Sequence, residues 1–374
     1  MSRKLIWWLP ACAAAVALAW FAFKKPVYDW DMLAYAAIHY QRQGLSNEQA
    51  HGKIYNELLP QLDSATQAFL TTEPFDRKAK ASPEFFAEQL PFYTTKPLYN
   101  ALVSALCIAG LTPLEAMRMI SAIGYGLVAL CVFAFFVRLF HPVLALLFSL
   151  LLPLMPVAML TARLLTPDML SSAFVLWAFA LYLLHKRFHA PVFLLLLSIG
   201  LRVDNAVIAL TAALLFAFAD DAHRARRLYG IAYAILAVMI YLVIGQAFGS
   251  YGWKITFQHS ILDLTINVSM WAATPLTFDI YIDALVKGIR RYQLVILPAL
   301  FFTAASIAAT NSLLEKRLFD NGLVAVAAVL FSSMCVKFLA FPRFDVRYYV
   351  PQYVFALLLI IIAVLPQRYK TTKP

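Results

Sequence analysis

The sequence predicts an all-α polytopic membrane protein. Of its 374 residues, 62% are hydrophobic and only 14% are charged, and the mean hydropathy is +0.73. This is more apolar surface than a soluble core can bury. The apolar runs lack the alternation typical of strands, and hydrocarbon does not tolerate unpaired backbone groups, so the crossing segments are expected to be helices.

The basic residues favour a membrane over nucleic acid as the partner. The formal net charge is +11, and the basic residues stand in short clusters between apolar runs, where they orient a chain in a bilayer. No basic stripe with base-stacking aromatic residues is present, so no nucleic-acid partner is expected. The four cysteines, Cys12, Cys107, Cys131 and Cys335, lie far apart in apolar segments and are expected to be small core residues.

The first span is predicted at residues 5–23, uncleaved because it ends at Lys24-Lys25 without a convincing cleavage site. Residues 24–116 then form a first outer loop with amphipathic helices. Ser46-Asn47-Glu48-Gln49 is a capping box, and Ser82-Pro83-Glu84 marks a second helix start. The apolar stretch 97–110, about 14 residues, is short of the roughly 20 needed to cross and is predicted to be interfacial or re-entrant.

A capped start at Thr112-Pro113-Leu114-Glu115 opens the remaining bundle. Nine further spans are predicted at 117–137, 143–160, 169–184, 191–201, 206–219, 228–247, 294–310, 322–341 and 350–365. Residues 248–292 form a second large outer loop. Together these elements make one membrane domain over 1–374, with about ten transmembrane helices.

Ten crossings place the basic clusters at 2–4, 138, 186–187, 224–227, 316–317 and 368–373 on one side, which is cytoplasmic by the positive-inside bias. Arg290-Arg291 are an exception on the outer side. The expected location is a bacterial inner (plasma) membrane, with the outer loops in the periplasm.

Polar residues gather at the outer ends of these spans. Because an acidic residue facing lipid is costly, such residues are expected to line a water-filled or substrate-filled cavity. The short spans around Arg202-Val203-Asp204-Asn205 should sink that turn below the outer surface. The candidate catalytic residues are Asp29 and Asp31, and the candidate substrate-binding residues are Lys96, Arg118, Arg163, Asp168, Arg202, Asp204, Arg347 and Tyr348.

Seven of the ten candidates also have a purely structural interpretation. Asp168 follows Thr166-Pro167 and would favour a helix dipole whatever the function. Arg202 and Asp204 can form a structural ion pair, Asp29 and Asp31 can simply be solvated beyond the first span, and Arg347 with Tyr348 suits a membrane interface.

The order of these features resembles the GT-C superfamily of integral membrane glycosyltransferases, most closely its protein-mannosyltransferase and ArnT-like branch. The similarity rests on Asp29-Trp30-Asp31 after the first span, the Lys96-Pro97-Leu98-Tyr99 helix opening, Arg118, Arg163 followed by Thr166-Pro167-Asp168, and Arg347-Tyr348 before the last span. Two departures are an Asp where the family commonly has Glu, with Trp interposed, and a short chain without a soluble carboxy-terminal domain.

The resemblance implies transfer of a sugar from a polyprenyl-phosphate donor to a lipid, cell-envelope glycan or protein acceptor at the outer face. An acceptor hydroxyl needs a carboxylate base, for which Asp29 is the first choice and Asp31 the second. The lipid phosphate needs cations, which Arg347 with Arg202, Arg163 or Lys96 can supply. Relatives of the oligosaccharyltransferase type hold a divalent metal with acidic residues of two outer loops. Mg²⁺ or Mn²⁺ is therefore compatible with Asp29 and Asp168, but no required metal cofactor is expected.

Two other functions fit the same pattern. A transporter or flippase of a lipid-linked or anionic substrate would also carry intramembrane ion pairs and short, broken spans. The absence of an evident internal repeat and the long first outer loop count against it. Within the enzyme class, an O-antigen ligase or polymerase also acts on lipid-linked sugars at this face.

Overall fold

A computed structural model describes residues 6–185, 188–218, 224–314 and 321–364. These residues form helices joined by short turns, and no strand occurs among them apart from one isolated bridge between Val27 and Leu164. The predicted all-α class is therefore confirmed. The basic clusters at 2–4, 186–187, 316–317 and 368–373, on which the predicted orientation depends, lie outside the described residues.

Helix α1, Trp8–Lys24, leads into a layer of short helices. They are α2 Asp31–Arg42, α3 Asn47–Gly52, α4 Ser64–Thr72, α5 Pro74–Ala81, α6 Pro83–Gln89, α7 Pro91–Thr94 and α8 Pro97–Ile108. The predicted helix starts are confirmed, because Ser46 and Gln49 form a reciprocal capping box and the Ser82 side chain accepts from the Phe85 N–H. Buried Met32, Leu33, Phe85 and Phe86 give this layer its own hydrophobic core.

The bundle follows in chain order. Its helices are α9 Pro113–Leu139, α10 Pro142–Leu151, α11 Pro156–Arg163, α12 Asp168–His185, α13 His189–Leu201, α14 Ala206–Phe218, α15 Arg224–Ala247, α16 Gly252–Phe257, α17 Val268–Ala273, α18 Phe278–Leu314, α19 Asn321–Ala340 and α20 Val350–Val364. The capping box predicted at Thr112 and Glu115 is present at the start of α9.

Helix α9 is the centre of the bundle and packs against both α1 and α12. Small residues permit both crossings. A Cβ added at Gly124 would lie 2.6 Å from the Leu170 backbone nitrogen in α12, and one at Gly126 would lie 3.2 Å from the Ala15 carbonyl oxygen in α1. Helices in a membrane associate by such close backbone approach.

Three helices of the described residues are long and apolar enough to cross a bilayer: Pro113–Leu139, Asp168–His185 and Arg227–Ala247. Several other predicted spans are apolar helices of 10–17 residues. The helix that begins at Pro97 has 12 residues, as short as expected. The count of ten crossings stays a prediction.

The span predicted at 143–160 is not one straight helix. It consists of α10 and α11, which are bent by 63° relative to each other. Pro153 and Pro156 explain the break, because proline lacks the N–H that would continue the helix and its ring clashes with the preceding turn. The Tyr125 hydroxyl donates to the Pro153 carbonyl at 2.7 Å and so pairs a backbone group at the bend.

Helix α18 begins at Phe278, inside the predicted second outer loop. The loop packs onto the first layer. The Thr94 hydroxyl donates to the Phe248 carbonyl at 2.6 Å, and the Lys78 ammonium donates to the Thr265 carbonyl at 2.7 Å and to the Asn267 side chain at 2.6 Å. The two loops thus form one continuous layer over one end of the bundle.

The α9 and α12 crossing can be tested with Gly124→Ala. The added methyl group would meet α12 backbone that cannot move aside, so the substitution should destabilise the protein by about 1–3 kcal/mol, as overpacking does. Thermal unfolding of the purified full chain in detergent measures the effect. Gly52→Ala is the matched control, since its Cβ would meet nothing closer than the Asn56 amide nitrogen at 3.8 Å. Equal stability of both variants would contradict this crossing.

Candidate active site

One guanidinium group joins the two ends of the chain. Arg347 lies in a short turn before α20, and its Nη1 is 3.0 Å from Oδ2 of Asp29 and 3.0 Å from Oδ2 of Asp31. Its Nε donates to Asp345 Oδ2 at 2.9 Å and lies 3.8 Å from Asp168 Oδ2. The structure thus brings the acidic segment after α1 together with the turn before α20.

The acidic segment is held in place by backbone and side-chain contacts. The Val27 N–H donates to the Arg163 carbonyl at 2.8 Å, so residues 25–30 lie beside the end of α11. Asp168 is the first residue of α12. In the loop before it, the Leu164 carbonyl accepts a hydrogen bond from the Ser121 hydroxyl at 2.7 Å. The Thr166 hydroxyl donates to Asp168 Oδ2 at 2.7 Å, which fixes that carboxylate, only 2% exposed, toward Arg347.

A second arginine continues the network. Arg202 pairs with Asp168 through Nη1 and with Asp204 through Nε at 3.0 Å. Asp204 also accepts from Lys337 at 2.7 Å, and Lys337 reaches the Asn205 side-chain oxygen at 3.3 Å. The predicted turn between α13 and α14 is therefore part of the same cluster as Arg347.

Tyr348 lies between the two arginines. The Arg202 guanidinium carbon is 4.0 Å from the centre of the Tyr348 ring, and that of Arg347 is 5.1 Å away. The Tyr348 hydroxyl accepts from Arg347 Nη2 at 3.2 Å. The aromatic face keeps two like charges close together in fixed positions.

Asp31 is bound on both carboxylate oxygens. One accepts from Arg347 and the other accepts from the Tyr93 hydroxyl at 2.8 Å. Burial acts to raise the pKa of Asp31, but Arg347, Lys96 and the Tyr93 hydrogen bond outweigh it, so the pKa lies below the ordinary value. These contacts favour the ionised form of Asp31.

Asp29 differs from Asp31 both in its hydrogen bonds and in the direction of its pKa shift. Its Oδ2 is bound to Arg347, but its Oδ1 is buried and has no hydrogen-bond partner. Burial and the adjacent charge of Asp31 raise the pKa of Asp29 well above the ordinary value, against the effect of Arg347. A buried carboxylate oxygen without a partner is unusual and accepts a proton readily.

Lys96 is the cation with spare donors. Its ammonium donates to the Phe92 carbonyl at 2.8 Å and lies 4.7 Å from the Tyr93 ring centre and 5.6 Å from that of Tyr35. It forms no ion pair with a carboxylate in the described part of the chain. Burial lowers the pKa of Lys96 to about 8, with Asp31 opposing that effect.

Two predicted site residues contact the acidic segment rather than the carboxylates. Arg163 Nε donates to the Lys25 carbonyl at 2.5 Å, and Arg118 bonds the Tyr28 hydroxyl with its guanidinium 5.3 Å from that ring. Their contacts position residues 25–28. The other eight predicted residues lie in or directly beside the ionic cluster.

Three participants were not among the predicted site residues: Lys337, Asp345 and Tyr93. A lysine inside the apolar stretch of α19 is the signal that could have indicated Lys337, because such a charge needs a buried partner. Asp345 belongs to the polar residues flanking Arg347. Tyr93 carries no distinguishing sequence signal.

The described residues contain no group of three or more His, Cys, Asp or Glu side chains placed to hold a metal ion. Arg347 instead occupies the position among the carboxylates of Asp29, Asp31, Asp168 and Asp345. Whether a divalent metal assists stays a prediction.

Comparison with models of known protein families, with characterised proteins and with solved structures finds no match to this chain. The resemblance to the membrane glycosyltransferases therefore stays a prediction. What the cluster can do follows from its own groups: accept one proton at Asp29 and bind an anion at Lys96 and the arginines.

The pairing of Lys337 with Asp204 can be tested by charge removal. Lys337→Met leaves Asp204 with one cation fewer in a half-buried site and should destabilise the protein by about 3 kcal/mol. Lys337→Met combined with Asp204→Asn should recover part of that loss, because the pair of substitutions removes one charge of each sign and leaves the net charge of the cluster unchanged. Thermal unfolding in detergent measures both, and a double variant that is less stable than Lys337→Met would contradict the pairing.

Proposed function

We propose that this chain is an integral membrane glycosyltransferase that moves a sugar from a polyprenyl-phosphate donor to an acceptor hydroxyl. The observation that carries the proposal is the unpaired Oδ1 of Asp29, which lies in a cluster that also contains phosphate-binding cations. The acceptor is a lipid, a cell-envelope glycan or a protein.

Asp29 is the general base of this reaction. Asp29 Oδ1 is buried, so the carboxylate must first turn toward the acceptor. The acceptor oxygen then attacks the anomeric carbon as its proton passes to Asp29 Oδ1, and the bond between that carbon and the phosphate oxygen breaks. Polyprenyl phosphate leaves with the electron pair. A base whose pKa is raised toward the working pH both accepts and releases the proton efficiently. Asp31, bound by Tyr93 and Arg347, serves to hold Arg347 in place.

Lys96 is the first contact of the donor phosphate. The N–H groups of Arg347 and Arg202 already bond to carboxylates, whereas Lys96 has further N–H groups beside Asp31 that are not bonded to a carboxylate. A phosphate that reaches Lys96 can then compete with the carboxylates for Arg347, because guanidinium binds phosphate oxygens through two parallel bonds. Phosphate binding at Arg347 would loosen the hold on Asp29.

The proposal includes the arrangement in the membrane. Ten crossings, with the layer of α2 to α8 and residues 248–292 in the periplasm, would open the cluster toward the outer face of a bacterial inner membrane. The apolar helices beside it would accommodate the polyprenyl chain among the membrane lipids. Residues 248–292, packed on the first layer, are placed to select the acceptor.

One observation favours a second candidate, a transporter or flippase. Lys337 lies inside α19 and pairs with Asp204, and buried ion pairs within spans are typical of transport paths. The two classes differ in what happens to the donor. A glycosyltransferase releases polyprenyl phosphate, whereas a transporter leaves the lipid-linked substrate intact.

Asp29→Asn tests the base. In membranes that contain the acceptor, supplied with a panel of short-chain polyprenyl-phosphate hexoses and pentoses, the variant should lose about 10²- to 10⁴-fold in turnover, since the amide cannot take the proton. Mass spectrometry of released polyprenyl phosphate measures turnover. Asp31→Asn should lose less turnover, because Asp31 does not touch the transferred proton.

Asp279→Asn, an exposed acid at the start of α18, is the matched control and should keep wild-type turnover. Near wild-type turnover of a normally folded Asp29→Asn variant would refute the assignment. Absence of polyprenyl phosphate release by the wild type with every donor, together with movement of intact donor, would favour the transporter.

The pH profile tests Asp29 and Lys96 together. Asp29 must be deprotonated, so kcat/KM should rise with pH through its raised pKa, above the range of an ordinary aspartate. Lys96 must be protonated, so kcat/KM should fall above about pH 8. Lys96→Arg keeps the charge at high pH and should move the alkaline limb upward. The exposed Lys80→Arg is the control, and an alkaline limb unchanged in Lys96→Arg would exclude Lys96 as the titrating cation.

A further inference from the structure

Helix α18 carries an exposed basic cluster that the proposed reaction does not use. Lys287, Arg290 and Arg291 stand at i, i+3 and i+4, so they share one side of the helix, and all three are exposed. Lys287 pairs with Asp283 at 2.6 Å. Arg290 and Arg291 form no ion pair within the described residues, although Arg291 lies over the Tyr292 ring at 5.6 Å.

Contacts with α19 place this cluster level with one end of that helix. Helix α19 has 20 residues, about 30 Å at 1.5 Å per residue, which matches the hydrocarbon thickness. The Tyr281 hydroxyl donates to the Leu339 carbonyl at 2.8 Å, and a Cβ on Gly288 would lie 2.3 Å from the Pro342 carbonyl oxygen. The turn from Gly288 onward is therefore level with the end of α19.

Arg290 and Arg291 follow Gly288 by only two and three residues, or about 3–5 Å along the helix axis. Long arginine side chains at this depth reach up to the level of lipid phosphates. Arg343, exposed and next to Pro342, adds a further cation at the same level. In a bilayer that α19 crosses, the cluster would lie at the level of the headgroups.

Apolar side chains border the cations on the same helix. Ile282, Val286 and Ile289 are 37%, 38% and 49% exposed, so part of each side chain faces outward. Trp253, 42% exposed, donates its indole N–H to the Ala340 carbonyl at 3.0 Å and suits an interfacial position. Cations beside apolar surface at the headgroup level complement a phosphate with attached acyl chains.

We propose that Lys287, Arg290, Arg291 and Arg343 bind the headgroup phosphate of an anionic phospholipid of the surrounding bilayer, with Val286 and Ile289 against its acyl chains. This site accounts for two arginines that run against the positive-inside bias. It depends on the chain being embedded in a bilayer and does not depend on the proposed enzyme activity.

Native mass spectrometry of the full chain tests the site. The purified protein is transferred from detergent micelles that contain equal amounts of phosphatidylglycerol and phosphatidylcholine, and the ratio of the two lipid adducts is measured. The wild type should favour phosphatidylglycerol. Arg290→Gln with Arg291→Gln should bring the ratio close to parity, since each arginine near a membrane surface is worth about fivefold in anionic-lipid binding.

Controls separate this site from general electrostatics and from misfolding. Arg42→Gln with Arg77→Gln removes the same charge from exposed positions in the α2 to α8 layer and should keep the wild-type ratio. Arg290→Lys with Arg291→Lys should keep most of the preference. An unchanged ratio in the glutamine variant, or an equal loss in the Arg42 and Arg77 control, would overturn the proposal. Displacement of phosphatidylglycerol by inorganic phosphate at constant ionic strength would also overturn it in favour of a plain phosphate site.

Discussion

The ion pairs of Arg347 are the constraint on which the arrangement of this site depends. One guanidinium group bonds carboxylates 316 and 318 residues away in sequence, and it also bonds Asp345 on its own turn. Because a half-buried charge is stable only when it is paired, the segment after α1, the start of α12 and the turn before α20 must meet.

Much of this convergence could be predicted from the sequence, because charges at the ends of apolar runs have few low-energy positions. Asp29, Asp168, Arg202, Asp204 and Arg347 were all expected at one face, and the structure brings them into contact. Lys337 was not predicted because hydropathy averages a single charge into its span. Tyr93 was not predicted because its role depends on how α7 and α8 turn its ring toward Asp31.

The helix boundaries, too, could be predicted only where the signal is local in the sequence. Capping residues predicted the starts of α3, α6 and α9, since those signals act within four residues. The bend within the predicted span at 143–160 was not predicted, since the hydropathy is continuous there, whereas Pro153 and Pro156 interrupt the backbone. Helix α18 begins 16 residues before its predicted span at 294, since its first turns carry too many charges to register as apolar. Local signals thus locate helix starts, whereas hydropathy misses helical segments that carry charges.

The charge balance of the cluster bears on the proposed reaction. With every group ionised, the five carboxylates of Asp29, Asp31, Asp168, Asp204 and Asp345 face four cations, Lys96, Arg202, Lys337 and Arg347, so one negative charge is in excess. A lipid phosphate would add more, and a half-buried site opposes that addition. Transfer of the acceptor's proton to one carboxylate relieves the excess, and Asp29, with its raised pKa and unpaired oxygen, is the group that accepts that proton at least cost. The negative charge that the phosphate adds therefore favours proton transfer to Asp29.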